Sequence, residues 1–464
     1  MTTTGACPTR RRWVLAALLQ AAWPASSRAA TETGVPIAGA PLRDTPIDQA
    51  PAFSRGFYPP TTPTTPESTM TSPTTLQSAP SAAPLDLSAV NAESAWRYFE
   101  LARVRATGLF DSVLGYHHAT MWDIGSGLAG LVCAEQLRLI SRAQLGEWLG
   151  QQLTSLATMP LFDNVLPNRE YAIATLAMHD PSSAQSVRGT GWSTTDMGRL
   201  LIWLKITANW YPEFATTIRD LVGRWALVRM AVDGQAFGGY LKRGRTAVRQ
   251  EGRLGYEQYA ATGLALWGLD MHRALRFDSV ERFELLGVPL LRDTRNLAAL
   301  TSEPFFLARM ELGHVSPAFA QLGQALFQVQ EKQAALKGTL IAVSEDAIDR
   351  QPWFLYNSVS FERMPWACVN PAGVAYPALA SVSTKTAVAW WAMYDEPYAA
   401  RVFDAVKTAF DPHRGYWAGV FNAGGPNRSL NINTNAVILE SLLYRRLGRQ
   451  SFLTASAATP GSKG

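Results

Sequence analysis

The feature that most constrains this chain is a repeated alternation of two kinds of helix. From Leu87 to about Leu447, segments such as AESAWRYFELARV, SRAQLGEWLGQQLTSL, PEFATTIRDLVGRWALVRM, PAFAQLGQALFQVQEKQ and PYAARVFDAVKTAF repeat apolar residues at three and four. Each predicts an amphipathic helix with one wet face. Between them come six segments with a polar and aromatic start and an apolar run behind it: MWDIGSGLAGLVCAEQL, WSTTDMGRLLIWLKI, YEQYAATGLALWGLDM, SEPFFLARMEL, LASVSTKTAVAWWAMY and LNINTNAVILESLLYRRL. A helix that is apolar nearly all round must be covered on most sides. Six alternations of this kind have one economical solution, a ring of helical hairpins with the covered helices inside. The pattern therefore predicts an all-α fold, an (α/α)6 toroid over residues 88–450. One outer partner is missing between Asp270 and Thr301, where DSVERFELLGVPLLRDTR reads as strand and loop. WFLYNSVSF and AFGGYLKRGRTAVRQEG read as short β segments in rim loops.

If the inner helices begin at one rim, Trp122, Asp123, Trp192, Asp196, Tyr256, Glu257, Tyr259, Glu303, Asn431, Asn433 and Asn435 converge on one cavity. Rings stack on pyranose faces, and carboxylates and amides bind hydroxyls, so this mixture suits a sugar polymer. Glycoside hydrolysis needs a carboxylic acid to protonate the leaving oxygen. In inverting enzymes it also needs a carboxylate to activate water, held roughly 6.5–9.5 Å away. The expected catalytic set is Glu303 as general acid and Asp196 as general base, with Asp123 and Glu257 as substitutes or sugar ligands. The expected substrate contacts are Trp122, Trp192, Tyr256, Tyr259, Asn431, Asn433 and Asn435. Bland roles compete with these: Ser193-x-x-Asp196 is a capping-box pattern, Asp123 suits an N-cap, and Glu257 complements a helix dipole. Glu303 is harder to explain that way, because Pro304 belongs in the first turn and leaves Glu303 where a smaller polar residue is preferred.

Several apparent signals carry no chemistry. GSGLAG at 125–130 follows a loop rather than a strand, so it is expected to let helices approach closely and not to bind a dinucleotide. His117-His118 is not the i, i+4 pair of a zinc helix, and no Cys/His cluster accompanies it, so neither metal nor cofactor is expected. No nucleophile elbow occurs. Cys133 and Cys368 allow at most one bridge outside the first 29 residues, and Cys133 is expected to be a buried thiol.

Residues 1–29 read as an export signal, with Arg10, Arg11 and Arg12 before the apolar run WVLAALLQAAW and small residues near Ala29. The paired arginines resemble a twin-arginine signal, with ordinary Sec export as the alternative. The expected location is periplasmic or secreted. The net charge of +5 includes four arginines from this segment and no acids, leaving 5 − 4 = +1 for the rest. That gives no electrostatic case for nucleic acid or an anionic membrane. No later apolar run is long enough to span a bilayer. Residues 30–87 are a Pro/Thr/Ser-rich segment expected to be a disordered linker, and 451–464 an equally disordered tail.

Through TMWDIGS, GWSTTDMGRLLIWL, GYEQYAATGL and SEPFFLARMELG the chain resembles the bacterial family known as domain of unknown function 3131, over nearly all of residues 90–450. It is more distantly similar to glycoamylase-like toroids acting on bacterial glucans, a likeness that implies the (α/α)6 fold and carbohydrate chemistry. The leading expectation is an exported inverting glycoside hydrolase acting on a bacterial glucan or exopolysaccharide, with an oligo- or polysaccharide as its partner. A noncatalytic glycan-binding protein, associated with polysaccharide synthesis or export machinery, is the alternative. A polysaccharide lyase is the third reading, and it would want a cationic cleft.

Overall fold

A computed structural model describes residues 90–179, 185–295 and 299–455. The expected export signal and linker lie outside the described residues. The helices are α1 (Ala92–Ala102), α2 (Met121–Gln136), α3 (Arg142–Thr158), α4 (Thr194–Trp210), α5 (Pro212–Gly223), α6 (Tyr256–Ala265), α7 (Glu303–Glu311), α8 (Pro317–Lys337), α9 (Thr384–Met393), α10 (Pro397–Val406) and α11 (Ile432–Arg446). Side chains of Asn91, Thr120, Ser141, Ser193, Ser316 and Asn431 accept the third helical amide at their N-termini, which is why those helices start where they do.

The covered segments form a closed inner ring in which α2, α4, α6, α7, α9 and α11 pack in that order and α11 returns to α2. Their partners lie outside: α1 on α11 and α2, α3 on α2, α5 on α4, α8 on α7 and α10 on α9. In α2 all but one of the sixteen residues are buried, as a helix without a wet face requires. Between α6 and α7 the missing helix is replaced by an antiparallel hairpin, Val280–Leu285 with Val288–Asp293, which packs on α8 through its second strand. All-α is too narrow a description, since 43% of the described residues are helical and 21% are strand. The strands are short rim connections, among them Glu345–Ala347 paired with Phe354–Asn357.

Small residues let the inner helices touch. A Cβ on Gly198 would lie 2.4 Å from Ala260 of α6, one on Gly263 2.4 Å from the Gly198 carbonyl, and one on Gly130 2.2 Å from the Phe99 ring. The ring has no open hole. Arg199 of α4 donates to Glu311 of α7 (2.7 Å), Glu440 of α11 (2.8 Å), Tyr259 of α6 (3.1 Å) and Ser126 of α2 (3.0 Å). The ordered chain also runs past its expected end. Phe452 is buried against Trp203 and Trp210, and the Trp210 indole donates to the carbonyls of Phe452 and Ala455. The amides of Phe452 and Leu453 also donate to the carbonyls of Met310 and Glu311, each at 2.9 Å, so residues 451–455 pack on the ring although their composition reads as tail. Cys133 and Cys368 are separate buried thiols.

Candidate active site

The inner helices present their N-terminal ends, and with them the positive ends of their dipoles, to one rim. Its floor is aromatic. The Trp122 ring lies 5.6 Å from that of Tyr256 and 5.7 Å from that of Tyr259, and the Arg199 guanidinium sits 5.1 Å from Trp122. Trp122 and Tyr256 keep a little exposure, whereas Tyr259 has none and spends its hydroxyl on Glu311. Tyr259 is thus the underside of the floor and not a sugar contact.

Asp196 stands on the wall formed by α4. The Ser193 hydroxyl accepts the Asp196 amide at 3.2 Å, but the reciprocal half of the expected capping box does not form. Glu251 instead caps the helix, accepting the Thr194 amide at 2.5 Å. Asp196 as a residue is partly exposed, and its carboxyl is hydrogen-bonded to the Ser193 side chain. Loss of solvent raises its pKa first, and the charges of Glu251 and Asp123 add to that against Arg169, pushing it up to about 7. A carboxyl so placed still holds its proton near neutrality.

Asp123 has the opposite fate. Thr120, not Asp123, is the N-cap of α2, and Asp123 closes a complete capping box by accepting the Thr120 amide (3.0 Å) and hydroxyl (2.8 Å). Its other oxygen accepts Asn433 at 3.3 Å. Asn433, which also accepts the Ser126 hydroxyl at 2.7 Å, is the one partly exposed member of the expected asparagine trio. Asn431 is the N-cap of α11, and Asn435 is fully buried, tying Tyr416 and Asn431 backbone. Trp192 likewise lies in the core, covered by Gly239 and donating to the Phe237 carbonyl at 3.0 Å. Neither Trp192 nor Asn435 is a contact surface.

Glu303, the first residue of α7, is clamped. Its Oε2 lies 2.5 Å from the Lys385 ammonium and accepts the Ser344 hydroxyl at 3.1 Å. Lys385 is the second residue of α9, and it also donates to the Glu345 carbonyl at 2.6 Å and lies 3.7 Å from Asp346. Burial works against that ammonium, but Glu303 and Asp346 outweigh it and raise its pKa. Glu345 pairs with Arg253, whose guanidinium lies over Tyr256 (4.5 Å) and Tyr356 (5.1 Å). Two cations thus face three carboxylates in a buried cluster, which leaves room for one proton. Asp346 is its natural holder: burial first, and Glu303 and Glu345 after it, push its pKa up to about 6 against Lys385. Glu257 is buried and ion-paired to Arg295 at 2.5 Å, with Gln250 donating at 2.8 Å.

Glu345, Asp346, Lys385, Arg253, Glu251 and Arg169 are the site residues that sequence reasoning missed. Lys385 had a signal, a lone cation in the covered run STKTAVAWW. The others sit on loops and short strands with no periodicity to flag them. Among the described residues no group of three or more His, Cys, Asp or Glu side chains is arranged to hold a metal, and no helix is long and apolar enough to cross a membrane. A cavity of about 260 Å³ lies elsewhere, between α7, α8 and α9, lined by Phe305, Phe319, Trp390 and Tyr394 and by no carboxylate.

Solved structures share this fold at low sequence identity. A glucoamylase-like protein from Bacteroides fragilis NCTC 9343 superposes with a TM-score of 0.57 at 13% identity, covering 81% of this chain and 94% of its own. The endo-beta-1,2-glucanase from Chitinophaga pinensis, in complex with sophorotriose and glucose, gives 0.55 at 11%, covering 79% and 93%. A mutant endo-beta-1,2-glucanase from Talaromyces funiculosus, with beta-1,2-glucan, gives 0.51 at 10%, covering 77% and 83%. A comparison with curated proteins finds no match. Residues 90–448 match the family model described as protein of unknown function (DUF3131), and the chain belongs to that family.

Proposed function

We propose that the protein is an exported glycoside hydrolase that cleaves a glucan by inversion, with Asp196 as the proton donor. The observation that carries this reading is the carboxyl of a partly exposed residue whose pKa loss of solvent and two neighbouring carboxylates raise to about 7, on the wall of an aromatic-floored cleft. A general acid works best when its pKa lies near the operating pH. Asp196 gives its proton to the glycosidic oxygen as the bond to the anomeric carbon breaks. Water adds to that carbon from the opposite face and loses a proton to a carboxylate, for which the ion-paired Glu303 is the candidate. This reverses the roles expected from sequence, because the raised carboxyl is that of Asp196, while Glu303 lies ion-paired to Lys385.

The β-1,2-linked glucans of the structural relatives are the first substrates to test. Reducing ends released by the native protein should be lost by at least about a hundredfold in Asp196→Asn, since a positioned acid contributes roughly that much or more. Glu303→Gln should lose release as well. Substantial release by Asp196→Asn would sink the assignment. A noncatalytic glycan-binding protein is the second reading, favoured by the structural duties of Asp123, Glu257 and Glu303. It predicts retardation of the protein in glycan gels with no new reducing ends. The arginine-rich N-terminus supports a periplasmic or secreted location, which fractionation of cells would check.

A further inference from the structure

The hairpin Gln235–Lys242 with Arg245–Gln250 is not needed to close the ring, and it carries four cations, Lys242, Arg243, Arg245 and Arg249, with no acid in residues 235–250. Lys242, Arg243 and Arg245 are exposed at its tip, and none of the three forms an ion pair among the described residues. Arg188 comes beside them, donating to the Gly244 carbonyl, and the nearby acid, Asp163, is taken up by Arg188 and Thr246. The chain beyond the expected export signal carries only +1 net, so this is local concentration of charge and not a global excess.

The turn presents one of these cations at the very tip. Arg243 and Gly244 form a two-residue connection, with φ of 51° and 77°. Such turns favour Asn or Asp at the first position and Gly at the second, and a long unbranched side chain there is held at a conformational cost. Leu286 and Gly287 make the same two-residue turn in the other hairpin, with φ of 55° and 72°, so what sets this tip apart is its charge and not its backbone.

The base of the hairpin is fastened to the Asp196 wall. The Phe237 carbonyl accepts the Trp192 indole (3.0 Å) and the hydroxyl of Thr194 (2.5 Å), two residues before Asp196. Arg169 donates to the Gly239 carbonyl and pairs with Glu251 at 3.0 Å. The six paired residues of each strand put the tip roughly 20 Å from that base. We propose that this hairpin is a binding arm for carboxylate or phosphate substituents on the polysaccharide whose backbone enters the cleft. The ligand class rests on the glycoside hydrolase reading, while the preference for anionic groups does not.

The test uses the full chain in affinity gels containing one glucan, its succinylated form or its phosphorylated form, at low salt and at about 0.3 M salt, where surface charges are strongly screened. The native protein should be retarded about tenfold more by the charged polymers than by the neutral one, with the preference lost at high salt. Preference for one derivative alone would identify which anion is read. Lys242→Gln/Arg243→Asn/Arg245→Gln should reduce that ratio to near one. Arg243→Asn alone should weaken retardation while its melting temperature stays the same or rises, a split that a merely structural arginine would not give. Equal retardation by neutral and charged polymers, or an undiminished ratio in the triple variant, would overturn the proposal. So would a triple variant whose only loss is binding to vesicles of anionic lipid. If no reducing ends are released by any variant but the charge preference holds, the hydrolase reading fails and the arm stands.

Discussion

Asp196 is a liability to the fold and an asset to the site. Its carboxyl is raised from an ordinary 3.8 to about 7. Between those values the folded protein holds a proton that the unfolded chain has lost, so stability falls as pH rises, and the cost is complete above about pH 7. Asp196→Asn should therefore melt higher than the native protein above pH 7, by up to about 4 kcal/mol at 1.36 kcal/mol per pKa unit, and match it below about pH 4. Thermal melts at pH 4, 6 and 8 check this, and a variant no more stable at pH 8 than the native protein would remove the physical basis for a proton-holding acid. Hydrolysis should decline in the native protein as pH rises through about 7. Trp122, Asp196 and Glu303 were legible as rim residues because each lies at the start of a covered helix. Which of them is tied to another element was not, since Lys385 decides that for Glu303 through a contact at short range in space. For Lys385 and Glu303 the partners are 82 positions apart in sequence, 385 − 303.

At the scale of elements, the helix starts and their small residues were readable because both follow from the backbone itself. A cap satisfies amides that no helix can satisfy internally, and a glycine marks a backbone approach. The loss of an outer helix between α6 and α7 was readable too, since DSVERFELLGVPLLRDTR reads as strand and loop, though its pairing into a hairpin was not. What could not be read was the pairing of rim strands such as Glu345–Ala347 with Phe354–Asn357, because two- to four-residue strands carry too few alternations. A close helix crossing lies between α4 and α6, where Gly198 meets Ala260 and Gly263. Gly198→Ala gains helix propensity but forces a methyl into a backbone 2.4 Å away, and overpacking of this kind costs about 1–3 kcal/mol. Urea denaturation should show the midpoint falling. Gly150, with open space around its missing Cβ, is the control, and Gly150→Ala should be stabilising.

Inside the apolar walls of the ring, the centre of the whole molecule holds a cluster of charge. Arg199 comes from the second helix of the ring, and Glu311 and Glu440 come from the fourth and sixth, so one guanidinium joins three helices that alternate around the circle. All three side chains are buried, and Trp203 donates to Glu311 at 2.9 Å. Glu440 is raised well above the usual carboxylate range, by burial first and then by Glu311, with Arg199 opposing. Removing one partner from such a cluster strands the others, whereas removing every charge need not. Arg199→Met is thus expected to cost about 3–5 kcal/mol at pH 7. Arg199→Met with Glu311→Gln and Glu440→Gln should recover most of that loss, because an amide oxygen can still accept from Trp203 and Tyr259 while no charge remains. If the triple variant is as unstable as Arg199→Met alone, the cluster acts through shape and packing instead. If both keep native stability in urea titrations, the ring is held by its apolar walls and the central charges are incidental to it.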